Sequence, residues 1–243
     1  TLTAGSSTFL LNPSSSNETL RAGGKSLYNL LETSTDGLVG WWKLDTGSGT
    51  TATDSSGNGN NGTLTNGPTW STSVPSVSFT DPYSVNFDGT NDYIALGSSA
   101  ASLNVQHVTI AAWIKPAGGT FEDIFQNRRP YAFFLGYEFY LYTDNHLGFN
   151  IGDGANYIAG PRTTVTLNQW SHVVATYDGA AMKLYVNGVL QNTVASTAAI
   201  SYAGGSVPNA FIGSDQGAAN FFNGPIDDVR IYNRALSAPE IAA

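Results

Sequence analysis

Cysteine is missing from all 243 residues, which excludes disulfide staples, thiolate zinc sites and thiol catalysis and leaves the fold to noncovalent packing. Charge is scarce as well. Asp, Glu, Lys and Arg make up 12% of the chain, too little for long helices laced with ion pairs. Basic residues are the scarcer sign: 10 Lys and Arg against 18 Asp and Glu give a formal net charge of −8, with no basic run longer than Arg128-Arg129. The electrostatic footprint of a nucleic-acid binder is therefore absent, and anionic membrane surfaces are not expected partners. No apolar run reaches the roughly 18 residues that membrane insertion requires. The chain opens at Thr1 without a charged and then apolar leader, so the expectation is a processed or trimmed mature form of an exported protein. What is abundant is Gly, Ser, Thr and Asn, which favour many short strands joined by turns. Single all-β domains reach about 200 to 250 residues, so the length permits one large sandwich plus some extra chain.

Residues 1–36 read differently from the rest. A Ser/Thr-rich stretch surrounds one apolar island, Phe9-Leu10-Leu11, and is followed by Lys25 to Glu32, which could form one or two helical turns; this is an N-terminal arm or linker. From Gly37 onward the chain is strand-like. Val108 to Ile114 and Trp170 to Tyr177 are apolar-rich runs bounded by turn residues, the pattern of buried strands. Met182 to Val186 runs into Asn187-Gly188 and out through Val189-Leu190. Asn-Gly supplies the two positive φ angles of a type I′ hairpin turn. Near the end, Ser237-Ala238-Pro239-Glu240 has capping-box spacing and opens a small helix. The segment Asp54 to Gly62 is dense in oxygen donors, and Ca²⁺ takes about 6 to 8 of them. It lacks the spacing of an EF-hand, so a calcium loop and a plain Asx-turn loop both stand open.

Five phrases in fixed order resemble the laminin-G-like, concanavalin A-like jelly-roll family of bacterial secreted and surface proteins. They are Gly37 to Asp45 (GLVGWWKLD), Asp54 to Thr63 (DSSGNGNNGT), Val85 to Gly89 with Asp92-Tyr93-Ile94, Trp170 to Gly188, and Gly224 to Ser237 (GPIDDVRIYNRALS). The resemblance spans residues 37–243. It implies an all-β, two-sheet antiparallel sandwich of roughly six or seven strands per sheet, with the first and last strands adjacent. In related jelly rolls the oxygen-rich loop lies beside the final strand, so the resemblance implies a structural calcium held by Asp54, Asn58, Asn60 and Asp227. Strand parity places Asp227, Val229 and Ile231 on one face. The alternative is Asp227 bonded to backbone amides.

Catalysis finds no support. Glycoside hydrolysis needs two carboxyls about 5 to 9.5 Å apart, and the Glu-x-Asp-x-x-Glu phrase of jelly-roll glucanases is absent. Glu122-Asp123 is the nearest acidic pair, but adjacent strand residues face opposite sides, and a solvated turn is expected there. His107, His146 and His172 lack metal-ligand spacing, and no Gly-x-Ser-x-Gly elbow accompanies Ser171, Asp88 or Asp178. His172 is expected to be a hydrogen-bonded core or edge residue. The most aromatic stretch is Tyr131 to Tyr142. By parity Tyr131, Phe133, Leu135, Tyr137, Phe139 and Leu141 face the core, leaving Phe134, Tyr140 and Tyr142 opposite. Those three either line a ligand face, where rings stack on sugars, or serve packing. Of Trp41 and Trp42, Trp42 is the expected core residue. The reading is a non-catalytic, secreted or cell-surface module that binds a carbohydrate or surface polymer. Two alternatives remain: a filament subunit binding copies of itself through residues 1–36, and an accessory domain of a larger secreted enzyme.

Overall fold

In a computed structural model the described residues are 35–97, 101–128, 135–202 and 209–242. The expected arm therefore lies outside them except for Thr35 and Asp36, as does Phe134. Sixteen strands occur among the described residues. They are β1 (Leu38–Trp42), β2 (Thr51–Ala52), β3 (Gly62–Thr65), β4 (Thr69–Ser71), β5 (Ser84–Asp88), β6 (Tyr93–Ala95), β7 (Val108–Ile114) and β8 (Glu122–Arg128). Then come β9 (Leu135–Tyr142), β10 (His146–Asp153), β11 (Tyr157–Thr164), β12 (Ser171–Tyr177), β13 (Ala181–Val186), β14 (Val189–Ala195), β15 (Asn209–Ile212) and β16 (Asn223–Tyr232). A single helical turn, α1 (Ala238–Ile241), follows.

The strands form two antiparallel sheets of eight each, more than the roughly six or seven expected of this fold. The first runs β14-β13-β12-β7-β16-β5-β4, with β1 also on β16; the second runs β11-β10-β9-β8-β15-β6-β3-β2. The extra members are short pieces, such as Thr51–Ala52 and Thr69–Ser71. The first and last strands are adjacent, with Trp41 opposite Arg230 and Trp42 opposite Val229. Val108–Ile114 and Ser171–Tyr177 form neighbouring, largely buried strands. The hairpin closes with Val186 opposite Val189, and Asn187 and Gly188 take φ of 51° and 76°, the left-handed values a type I′ turn demands.

Between the sheets lies one apolar core containing Trp42, Phe87, Phe125, Tyr137, Phe139 and Phe149. Trp42 is fully buried, and its indole Nε1 donates to the Asn60 carbonyl at 2.8 Å, which removes the cost of burying that N–H. A smaller cluster of Ala111, Val174, Tyr185 and Ile241 lies on the outer side of the first sheet, where α1 packs. The helix start is built as its spacing suggests: Glu240 Oε2 accepts the Ser237 N–H at 2.7 Å, while Arg234 Nη2 holds its other oxygen at 2.7 Å.

Candidate functional site

Strand β16 does not alternate strictly. Ile226, Val229 and Ile231 all enter the core, so two residues, Asp227 and Asp228, stand where strict alternation has one. The register shifts between Asp227 and Arg230, and Asp228 takes φ of 45°, the signature of a β-bulge. The expectation that Asp227 shares a face with Val229 and Ile231 is thereby corrected. Asp227 instead pairs opposite Trp113 and meets Asp45, three residues beyond β1, and Asp81, in the β4–β5 connection. One carboxylate oxygen from each lies within 4.8 Å of the others.

The three side chains lack enough donors. Asp227 Oδ1 accepts the Asp228 N–H at 2.8 Å, but Asp227 Oδ2, Asp45 Oδ1 and Asp81 Oδ2 are buried without a hydrogen bond. Burial first, and then the charge of Asp81, pushes Asp227 up to about 10. Burial and Asp45 push Asp81 up to about 6, and burial raises Asp45. Carboxylates so close cannot all ionise unless a cation joins them. Their all-oxygen character suits a hard cation such as Ca²⁺.

The remaining expected calcium ligands are engaged elsewhere. Asp54 Oδ1 accepts the N–H groups of Trp41 (3.0 Å) and Ser56 (2.9 Å), and Oδ2 accepts the Ser56 hydroxyl and the Asn60 N–H, both at 2.9 Å. Asn60 Nδ2 donates to the Val39 carbonyl at 2.8 Å, and Asn58 Nδ2 reaches the same oxygen at 3.3 Å. Asp54, Asn58 and Asn60 thus pin the loop to β1 as an Asx turn does. The acidic group forms around Asp227 without Asp54. Sequence reasoning overlooks Asp45 and Asp81; Asp45 closes a Trp-rich strand phrase and Asp81 sits before a proline, with nothing local marking either as a ligand.

A second polar concentration lies on the outer face of the second sheet. Cross-strand pairing aligns Asp123 with Tyr140, Gln126 with Glu138, and Glu138 with Asn150, and paired residues share a face. Arg128 sits at the centre: Nη1 meets Glu138 Oε2 at 2.9 Å, Nη2 meets Asp215 Oδ2 at 2.5 Å, and Nε donates to Gln126 Oε1 at 3.1 Å. Glu138 Oε1 also accepts from Asn150 Nδ2 at 3.0 Å and from the Tyr157 hydroxyl. Asn220, on the β15–β16 connection, donates to Asp123 Oδ2 at 3.2 Å. Left without partners are Asp123 Oδ1, Gln126 Nε2 and Asp215 Oδ1. Burial, then the charges of Glu138 and Asp215, pushes the Asp123 carboxyl well above the usual range. Burial works against the Arg128 charge, but Glu138, Asp215 and Asp123 outweigh it. The expectation of a solvated Glu122-Asp123 turn is corrected, since both are buried in β8.

Aromatic rings border this polar floor. Phe121 stacks on Tyr140 (4.9 Å, 11°) and meets Tyr142 edge-on (5.3 Å, 88°). Parity places Tyr140 and Tyr142 on the outer face as expected, but their roles separate. Tyr142 is 44% exposed, whereas Tyr140 is 1% exposed, its ring occupying the space that a side chain at Gly148 would need. Tyr140 is a packing residue, and Tyr142 and Tyr157, at 39%, present open ring surface. On the other sheet, His172 packs against Trp113 at 5.2 Å, and burial lowers it to about 4, leaving the imidazole neutral.

Residues 88–242 match the family model described as the concanavalin A-like lectin/glucanases superfamily. The chain belongs to that superfamily. None of the curated proteins matches it in sequence. Among solved structures, this superfamily member is similar to domain 4 of an extracellular arabinanase from Geobacillus stearothermophilus, in complex with arabinotriose: 20% identity over 84% of this chain and 96% of that one, TM-score 0.64. It is similar to a Ruminococcus gnavus sialidase CBM40 domain bound to α2,3-sialyllactose, at 20% identity over 65% and 94%, TM-score 0.56. A botulinum neurotoxin type C structure, whose passage into cells depends on interaction with two ganglioside molecules, shares 15% identity over 86% of this chain and 50% of that one, TM-score 0.58. At these identities the likeness is one of fold. No helix among the described residues is long and apolar enough to cross a membrane.

Proposed function

We propose that this jelly roll is a non-catalytic binding module for a carbohydrate-type ligand, taken on the outer face of the second sheet. The observation that carries the reading is the polar floor there. Asp123 Oδ1, Gln126 Nε2 and Asp215 Oδ1 are buried without partners beside the open rings of Tyr142 and Tyr157. Buried polar atoms without partners cost free energy, and ligand hydroxyls would satisfy them while the rings stack on a sugar face. The arabinotriose and sialyllactose complexes of similar folds support a glycan as ligand. A binding role, rather than hydrolysis, follows from how the carboxyls are used. Glu138 and Asp215 are both ion-paired with Arg128, so Asp123 lacks the second free carboxyl that glycoside hydrolysis needs. A secreted or surface location suits this role and belongs to the proposal.

The test is calorimetric titration with neutral oligosaccharides, alongside an assay for released reducing ends. Binding without hydrolysis is expected, and Tyr142→Ala, an exposed change, should weaken binding about tenfold, the loss of one stacking contact. Undiminished binding by Tyr142→Ala together with Gln126→Ala would remove this face as the site. One comparison favours a second reading at the level of the whole protein, since the arabinanase structure is itself one domain of a larger enzyme. In that reading the module serves a catalytic domain elsewhere in a longer chain. A structural calcium at Asp45, Asp81 and Asp227 completes the proposal. There it would tie the end of β1 and the β4–β5 connection to the bulge of β16.

A further inference from the structure

We infer that Arg162 makes the outer face of the second sheet a binding site for glycans that carry a carboxylate, whether on a uronic or a sialic acid residue. The inference rests on the proposed carbohydrate site and deepens it by naming the class of sugar. Strand register puts Arg162 of β11 opposite Gly148, and Gly148 opposite Tyr140, so the three stand in one row across the sheet. Gly148 has no side chain, and the ring and hydroxyl of Tyr140 occupy the space one would need. Arg162 is exposed, with its guanidinium 5.5 Å from the Tyr142 ring centroid. Its backbone carbonyl accepts from Asn192 Nδ2 at 2.9 Å, which ties β11 to β14 at this residue. A cation held over an aromatic ring, on an anchored stretch of strand, meets a ligand at less ordering cost than a free surface side chain does.

What marks Arg162 is the lack of a counter-charge. The other arginines among the described residues pair with carboxylates: Arg128 with Glu138 and Asp215, Arg230 with Asp228, and Arg234 with Glu240. Among the described residues no carboxylate forms an ion pair with Arg162. Its planar fork is open to a ligand carboxylate, which it meets with two parallel N–H···O bonds. The acids of the polar floor do not cancel this charge. Glu138 is paired with Arg128, and burial, then its acidic neighbours, keeps the Asp123 carboxyl protonated. Asp215 follows β15, four strand spacings from β11, which is about 19 Å and beyond a Debye length. Tyr142, 44% exposed, offers open ring surface beside the fork. One sugar residue can therefore stack on the ring while its carboxylate meets the guanidinium. A neutral sugar makes the first contact and not the second.

Calorimetric titration of the intact chain tests the inference with matched pairs: trigalacturonate and its methyl ester, and α2,3-sialyllactose and its methyl ester. Each ester keeps the sugar and removes the carboxylate charge. At least one acid is expected to bind about tenfold more tightly than its ester, and the pair that shows the preference tells a uronate from a sialate. The ratio should shrink in about 0.5 M salt, which screens an exposed charge. Arg162→Ala, an exposed change checked by its thermal melt, should bring the ratio near one and leave the affinity for the ester nearly unchanged. Arg162→Lys should restore only part of the preference, because an ammonium lacks the fork. Acid and ester binding equally in both pairs, or a preference that survives Arg162→Ala, would overturn the inference and leave the carbohydrate reading intact. Absence of binding to every glycan on a broad array, neutral and acidic alike, would overturn the carbohydrate reading and this inference with it.

Discussion

Glu122 and Asp123 are neighbours in sequence with different fates, because successive strand residues point to opposite sides. Asp123 joins the outer polar floor. Glu122 sits opposite Leu141 at the end of the sandwich, its Oε1 without a partner and its Oε2 accepting a long 3.4 Å bond from the Asn223 N–H. Burial pushes its carboxyl up from 4.5 to about 7, and the Asn223 bond only partly offsets this. A folded-state value above the unfolded one means the native state holds the extra proton. Stability is then greatest below about 4.5 and is lost as pH rises toward about 7. Glu122→Gln removes the ionisation and keeps an acceptor for Asn223. It should be more stable than the parent at pH 8 by about 1 to 2 kcal/mol, allowing for partial solvent screening, with the difference vanishing near pH 4. Urea unfolding at the two pH values checks this; an equal difference at both would mean that Glu122 does not titrate across this range.

At the level of elements, two local devices differ in how openly they announce themselves. The β13–β14 hairpin is written in its dipeptide. Asn187 and Gly188 supply positive φ, and the Asn187 side chain adds a bond from the His172 N–H to its Oδ1 at 2.9 Å. A side chain at Gly188 would face the strain of the left-handed region. Gly188→Val should therefore cost about 1 to 2 kcal/mol, read as a lower urea midpoint with unchanged slope. The bulge in β16 has no comparable signature. Asp-Asp is not a bulge motif, and the extra residue is visible only because Ile226, Val229 and Ile231 must all reach the core while Asp228 turns outward to Arg230 and to the Trp41 indole at 2.6 Å. That packing requirement sends Asp227 toward Asp45 and Asp81. Parity counted along the sequence cannot register it.

For the whole molecule, the carboxylate triad joins three distant stretches of chain at the seam where first and last strands meet. The proposed calcium there should act as a global stabiliser, because a cation bound only by the native state raises stability by mass action, about 2.7 kcal/mol at a hundredfold excess over its Kd. For a domain of this size that is a rise of roughly 5 to 10 °C in Tm on passing from chelator to saturating Ca²⁺. Asp227→Asn should abolish the rise, and identical melts with chelator and with Ca²⁺ would discard the metal. Much of the architecture is legible in the sequence. The β class, the two buried strands, the hairpin, the burial of Trp42 and the capped final turn all follow from patterns confined to a few neighbouring residues, where propensity and turn chemistry act. The order of the phrases identifies the jelly roll and the adjacency of its first and last strands. The sites are different in kind. The hold of β1 and its own loop on Asp54, the meeting of Asp227 with Asp45 and Asp81, the burial of Tyr140 and the pairing of Arg128 with Glu138 and Asp215 depend on which strands lie side by side and in what register. A side chain's partners across a sheet are set by long-range pairing and by one inserted residue, and those arise only when the whole core packs.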